Sequence, residues 1–470
     1  MPSRQDQLHS YQYSLQRVVA ALVTHDPDPS KSPLRRAGTT ALISLLIASL
    51  AVGASAIYGI LTGHSSVSPK DTTVVFQEKG SGARYVYLES DAKLHPVLNF
   101  TSGLLLASGE APKLKSIASD KLAGVALGAP LGIPDAPDSL PSDDALITER
   151  WTICTDNQGE QGTARSTLLI GDKLTDGSIA TRTGEALLVK DEWETDLIYE
   201  NRRFPIPNDK LLATVRIFGW GAQDPWPVST AWLNAVPLGG DLLPPAISDV
   251  GSGSPVGDLR VGQLVTGPTK EVSIILKDGA ADLTPMQAKL MQAAGRGSPL
   301  DIGDDYLGMA RSGTKLSDAN KQNGLPAAVP TLHTATPGVA CMTLPVEAKK
   351  GDAKSIDGLR IDPTLPTGAE AVDPTGTPPN RVLADFVHVA RGKGVLAEVA
   401  ASPTAPAGSG TISIITDTGR NYPLASRTLM TKLGYGGSKA QPIPSVLISL
   451  LPTGPSLDPA RARESEVTKQ

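Results

Sequence analysis

Ser413-Ile-Ile-Thr-Asp-Thr-Gly-Arg-Asn-Tyr-Pro-Leu-Ala-Ser426 begins a phrase that this chain uses more than once. It continues through Leu433-Gly434-Tyr435-Gly436-Gly437, Pro442-Ile443-Pro444, Leu450-Leu451-Pro452-Thr453-Gly454 and Leu457-Asp458-Pro459. Nearer the middle of the chain stand Phe204-Pro205-Ile206, Phe218-Gly219-Trp220-Gly221, Pro225-Trp226-Pro227, Val236-Pro237-Leu238-Gly239 and Leu243-Pro244. The order of elements is the same, and the Pro-x-Gly step and the following proline keep their spacing. Weaker echoes at His95-Pro96-Val97-Leu98 and at Val272-Ser273-Ile274-Ile275 suggest two more copies. A recurring phrase of this size means a fold assembled from small repeated modules, which usually present surfaces to partners.

Composition agrees. Gly 46 and Pro 39 favour short strands joined by tight turns over long helices. At 40% apolar residues the chain still builds a core. A formal charge of −5 with no basic face argues against nucleic acid.

One segment decides the address. From Ala37 to Gly63 there is no charged residue, and about 20 apolar residues suffice to cross a membrane. Ala54-Ser55-Ala56 resembles a cleavage site, but a signal peptide has a short basic start and this segment has a long one. The reading is therefore a permanent single-span anchor. Lys31, Arg35 and Arg36 precede it, while the other flank opens with His64, Ser65 and Ser66. The positive-inside rule places the N-terminus in the cytoplasm and the bulk outside.

Both cysteines, Cys154 and Cys341, fall in the outer portion, where pairing is expected. Two unrelated buried thiols are the alternative. A paired loop of this length corresponds to roughly 5 kcal/mol by chain entropy, an upper-end value.

The layout expected from sequence is as follows. Residues 1–36 form a cytoplasmic helix whose apolar face carries Leu8, Tyr11, Leu15, Val18, Val19 and Leu22. Such a helix is too short to build its own core; it is expected to dock on another protein or to lie on the membrane surface, and docking is the preferred reading. Residues 37–63 span the membrane, and 64–145 hold a linker and repeat 1. A first central part covers 146–184, repeat 2 covers 185–250, and a linker with an eroded repeat 3 covers 251–335. A second central part with a long loop covers 336–400, repeat 4 covers 401–460, and 461–470 form a disordered tail. Strands are expected to be short and mostly antiparallel.

These phrases together resemble EccB, the single-span membrane component of actinobacterial type VII (ESX) secretion systems. The carriers are Gln7-Leu8 through Tyr11, the Arg17-containing helix, the span, His95-Pro96-Val97-Leu98-Asn99, and Gly132-Ile133-Pro134-Asp135-Ala136-Pro137. The Trp151/Cys154 region, Ile414 to Gly419 with Tyr422-Pro423, and Leu451 to Pro459 complete them. The resemblance implies a mainly β fold with some α: a transmembrane helix, then a distorted propeller-like extracytoplasmic domain of four repeats and a central β domain. It also implies a disulfide between the central segments, matched by Cys154 and Cys341. The implied role is an assembly subunit of an inner-membrane core complex with EccC, EccD and EccE, which self-associates on the periplasmic side as a dimer or higher oligomer.

Members of the family are often labelled ATPases, so ATP is a cofactor by label only. No G-x-x-x-x-G-K-[ST] cradle for phosphates exists here. Gly392-Lys393-Gly394 lacks the upstream glycine, and Gly251-Ser252-Gly253 with Gly257 has the wrong spacing. There is no G-x-S-x-G elbow and no H-E-x-x-H helix. Asp301, Asp304 and Asp305 read as a solvated loop rather than a calcium site. Trp193, Trp220, Trp226 and Trp232 cluster in repeat 2 and read as core before platform. No catalytic, cofactor or metal residue is assigned. The competing readings are an ATP-hydrolysing component and a membrane-anchored cell-wall binding module.

Overall fold

The computed structural model describes residues 3–25, 33–62, 67–180, 184–318, 324–344, 358–375, 381–400 and 408–464. Two helices, Arg4–Thr24 and Pro33–Thr62, lead into five open sheets, none of which closes on itself. The second helix starts at Pro33, ahead of the 37 expected for the span.

Four of the sheets share one plan. Three consecutive strands form an antiparallel meander, a helix follows, and a fourth strand returns to pair parallel with the first. In module 1 the strands are Val74–Glu78, Arg84–Leu88, Lys93–Pro96 and Lys113–Ile117. In module 2 they are Glu185–Lys190, Thr195–Tyr199, Arg202–Ile206 and Trp226–Pro227. In module 3 they are Leu264–Thr266, Val272–Leu276, Gly279–Asp282 and Leu300–Asp301. In module 4 they are Val395–Ala400, Thr411–Ile415, Asn421–Pro423 and Gln441–Pro444. The parallel pair in every module departs from the mostly antiparallel expectation; the intervening helix is the crossover that such a pair requires. Module 3, eroded in sequence, keeps the full topology.

The recurring phrase has a physical cause. After the fourth strand the chain returns along the third and makes the same hydrogen bond in all four modules. The N–H groups of Gly128, Gly239, Ser312 and Gly454 donate to the carbonyls of Leu94, Arg203, Ala280 and Asn421 at 2.7 to 2.9 Å. In modules 1, 2 and 4 a ring lies directly over the glycine. A Cβ on Gly128, Gly239 or Gly454 would stand 2.2 to 2.3 Å from a ring carbon of His95, Phe204 or Tyr422. Each X-Pro step therefore needs its distant glycine.

The fifth sheet runs, edge to edge, through Glu370–Ala371, Phe386–Val389, Arg165–Ile170, Trp151–Asp156, Val339–Leu344, Leu359–Ile361 and Ser178–Ile179. Two of these strands lie in residues 349–380, the stretch expected to be one long loop; 345–357 and 376–380 lie outside the described residues. The strand Val395–Ala400, grouped with the central region by sequence, pairs inside module 4. Residues 461–464 are not a free tail, since Ala462 is fully buried; 465–470 lie outside the described residues.

The cores join these units in a defined order. One cluster unites module 1 with module 4 through residues such as Ile133, Leu396 and Tyr435. A second unites module 4, the central sheet and module 2 around Trp151, Trp232 and Ile443. A third joins Phe204 and Leu197 of module 2 to Met286 and Leu290 of module 3. The succession is module 1, module 4, centre, module 2, module 3.

Candidate functional site

The helix Arg4–Thr24 is fixed at its start by a capping box: the Asp6 N–H donates to Ser3 Oγ at 3.2 Å, and the Ser3 N–H donates to the Asp6 carboxylate at 3.0 Å. The carboxylate stays below its ordinary range because the Ser3 hydroxyl and N–H both donate to it. Leu8, Tyr11, Leu15, Val18 and Leu22 are all exposed on this helix, whereas Val19 is half-buried and Ala20 buried. The next helix carries the apolar run Gly38–Gly59, with a mean hydropathy of 2.1 in its best window and none of that window buried. Charge-free over this length, it is long enough to cross a membrane.

Cys154 and Cys341 sit directly opposite each other on adjacent antiparallel central strands and are joined by a disulfide. Both are buried, against Leu169 and Leu174. The link ties two strands separated in sequence by modules 2 and 3.

The four tryptophans of module 2 divide. Trp220 stacks on Phe218 at 4.5 Å between ring centroids, and Trp226 and Trp232 enter the central core. Trp193 stands 75% exposed at the tip of the hairpin between the first two strands. Beneath that tip lies a feature that sequence reasoning missed. Asp196 is fully buried, neither carboxylate oxygen has a hydrogen-bond partner, and the Arg203 guanidinium 3.7 Å away is already bonded to Glu194. Burial first, and then the charge of Glu194, push its carboxyl up to about 7. The only sequence signal was a lone Asp in an otherwise apolar strand.

The glycine-rich stretches are occupied with their own structure. The Gly392 N–H donates to the Asp417 carboxylate at 2.8 Å, and the Gly251 N–H donates to the Val261 carbonyl at 2.9 Å. Asp301 accepts from the Gly303 N–H and pairs with Lys270 at 3.0 Å. Among the described residues no group of three or more His, Cys, Asp or Glu side chains is placed to hold a metal ion.

One apolar helix followed by four copies of one small sheet and a fifth, central sheet defines a repeat protein with a candidate membrane anchor. The chain belongs to the family described as type VII secretion system ESX-1, transport TM domain B, whose model matches residues 1–468. It is 24% identical to the ESX-3 secretion system ATPase EccB3 of Mycobacterium tuberculosis (strain ATCC 25618 / H37Rv), over 97% of this chain and 88% of that one. It is 25% identical to the ESX-3 secretion system ATPase EccB3 of Mycolicibacterium smegmatis, over 96% and 88%. Its fold is like that of the EccB3 dimer from the ESX-3 core complex, with a TM-score of 0.62 and 23% identity over 83% of this chain and all of that one. A chain of an intact ESX-5 inner membrane complex is also similar, with a TM-score of 0.65 and 21% identity over 100% of this chain and 96% of that one.

Proposed function

We propose that this chain is a structural assembly subunit of a type VII (ESX) inner-membrane core complex, which supports protein export without chemistry of its own. The observation that carries the reading is the family match from residue 1 to 468, which takes in the docking helix, the apolar span and all four modules. The relatives seen in solved structures are parts of an inner-membrane complex and a dimer. By the same reading this chain is a single-pass inner-membrane protein, with the Arg4–Thr24 helix in the cytoplasm and the modules outside. Its partners are EccC, EccD, EccE and further copies of itself. The succession of modules around a central sheet is a distorted, propeller-like arrangement.

The printed name ATPase belongs to the relatives. The ATP-hydrolysing reading finds no support in the glycine stretches, whose N–H groups serve the protein's own carboxylate and carbonyl. The Cys154–Cys341 link is expected in the native protein, and a non-reducing peptide map that recovers two alkylatable thiols would remove it.

Co-purification tests the reading. A tagged chain extracted in mild detergent brings down EccC and EccD, and Leu15→Asp weakens that recovery while the modules still fold. Each buried side chain of that size contributes on the order of 1.5–3 kcal/mol, so one charge in the face is enough. If the parent chain brings down neither subunit, the assembly role fails. If Leu15→Asp changes nothing, the helix is not the docking element.

A further inference from the structure

Trp193 is displayed rather than merely exposed. The Asp191 carboxylate accepts from the N–H groups of Trp193 and Glu194 at 2.8 and 2.9 Å, and from the Thr230 hydroxyl at 2.9 Å. The Asp191 N–H donates to the Glu194 carbonyl at 3.1 Å, which closes the turn, and Asn208 donates to the Trp193 carbonyl. The backbone is fixed while the ring stays in water. A rigid, water-exposed tryptophan suits an interface anchor, since little ordering entropy remains to be lost on docking. Its sequence neighbour Glu192 is exposed and makes the tip acidic.

At the other end of the succession, modules 1 and 4 enclose an open cleft of about 630 Å³. Leu88, Leu106 and Leu131 give it apolar lining. Lys432 and Arg463 stand on the module 4 side. Burial, and then the Arg463 charge, hold the Lys432 ammonium below its usual range, and neither cation pairs with a carboxylate among the described residues. Across the cleft, Asp91 is engaged by His95 at 3.0 Å, which leaves Glu89 as an acceptor.

We propose that the Trp193 turn of one copy seats in the module 1–module 4 cleft of a second copy, joining copies head to tail. The proposal deepens the self-association read above and rests on it. The three demands of the turn match what the cleft offers. The ring takes the leucine lining, the indole N–H takes Glu89, and Glu192 answers the crowded cations Lys432 and Arg463. Because the turn and the cleft are different patches, the contact is heterologous and closes rings where the rotation permits.

The test mixes two differently tagged full-length variants, Lys190→Cys beside the turn and Ser90→Cys on the cleft lip, both of which keep the Trp193 ring. The native cysteines are already bonded to each other. Under mild oxidation a reducible cross-link should form in the mixture and in neither variant alone. Glu192→Lys and Lys432→Glu should each cut its yield about tenfold, and the two placed on opposite copies should restore it. A Lys190→Cys homodimer, or no cross-link from copies that still self-associate on sizing, overturns this contact and leaves the assembly role standing. Failure of the parent chain to self-associate overturns both.

Discussion

Modules 3 and 4 have the same strand order and fill it differently. In module 4 the third strand carries Tyr422-Pro423, and the Tyr422 ring lies over Gly454. In module 3 the matching positions are Ala281 and Asp282, and the residue opposite is Ser312 rather than glycine. The ring and the missing Cβ disappear together, while the backbone bond from Ser312 to Ala280 remains at 2.9 Å. Asp282 then takes a polar role, accepting from the Ser273 hydroxyl at 2.7 Å and the Arg311 guanidinium at 2.8 Å. Two side-chain solutions thus serve one backbone. The sequence phrase records the packing solution, and the topology is more general than the phrase.

The largest test of that contrast is Gly454→Ala. The new methyl meets a buried ring that has nowhere to retreat, an overpacking that costs about 1–3 kcal/mol. Module 4 shares cores with module 1 and the central sheet, so the loss should appear as a lower melting temperature of the joined modules. An unchanged melt would mean that the ring is not confined as the contact implies.

Asp196 offers a second test, because the modules also differ at its position. The residue that faces the X-Pro proline is Asp196 in module 2, Ser413 in module 4 and Tyr85 in module 1, and Ser273 faces Asp282 in module 3. Only module 2 buries a carboxyl there. Its value of about 7 lies above the ordinary 3.8, so the folded state holds a proton that the unfolded state releases. That stabilisation is fully present below about pH 4 and is lost as pH rises towards about 7. Asp196→Ser, the residue used by module 4, should flatten the fall of thermal stability across this window and stabilise the protein above it. The same pH slope in both proteins would rule out Asp196 as its source.

The smallest effect is expected from Ser312→Gly. No ring waits above Ser312, but its hydroxyl donates to the Asp278 carboxylate at 2.7 Å and accepts from the Thr314 N–H at 3.0 Å, so removing the side chain should cost about 1 kcal/mol, from these exposed bonds and the backbone entropy of a glycine. A loss as large as that of Gly454→Ala would mean that the ring is not what sets the two positions apart.

Much of this fold was legible because it is written locally. Charge-free length marks the span, three- and four-residue spacing marks the face of Leu8, Tyr11, Leu15, Val18 and Leu22, and the Pro-x-Gly spacing marks the return segment. The parallel fourth strands of modules 2 and 3 were missed because Trp226–Pro227 and Leu300–Asp301 are two-residue strands with no periodicity to read. The strands in the expected long loop were missed for the same reason, since Leu359–Ile361 and Glu370–Ala371 are three and two residues long.

By itself, then, the sequence determined the anchor, the repeated units and the family, all of which depend on composition and spacing within a few residues. Only the tertiary structure decided the succession of the modules, because shared cores join residues as distant as Ile133 and Leu396. It alone separated Trp193 from three buried tryptophans of the same module, and Asp196 from the solvated acids around it. Burial and the presence of a hydrogen-bond partner are properties of the packed chain, and no local pattern encodes them.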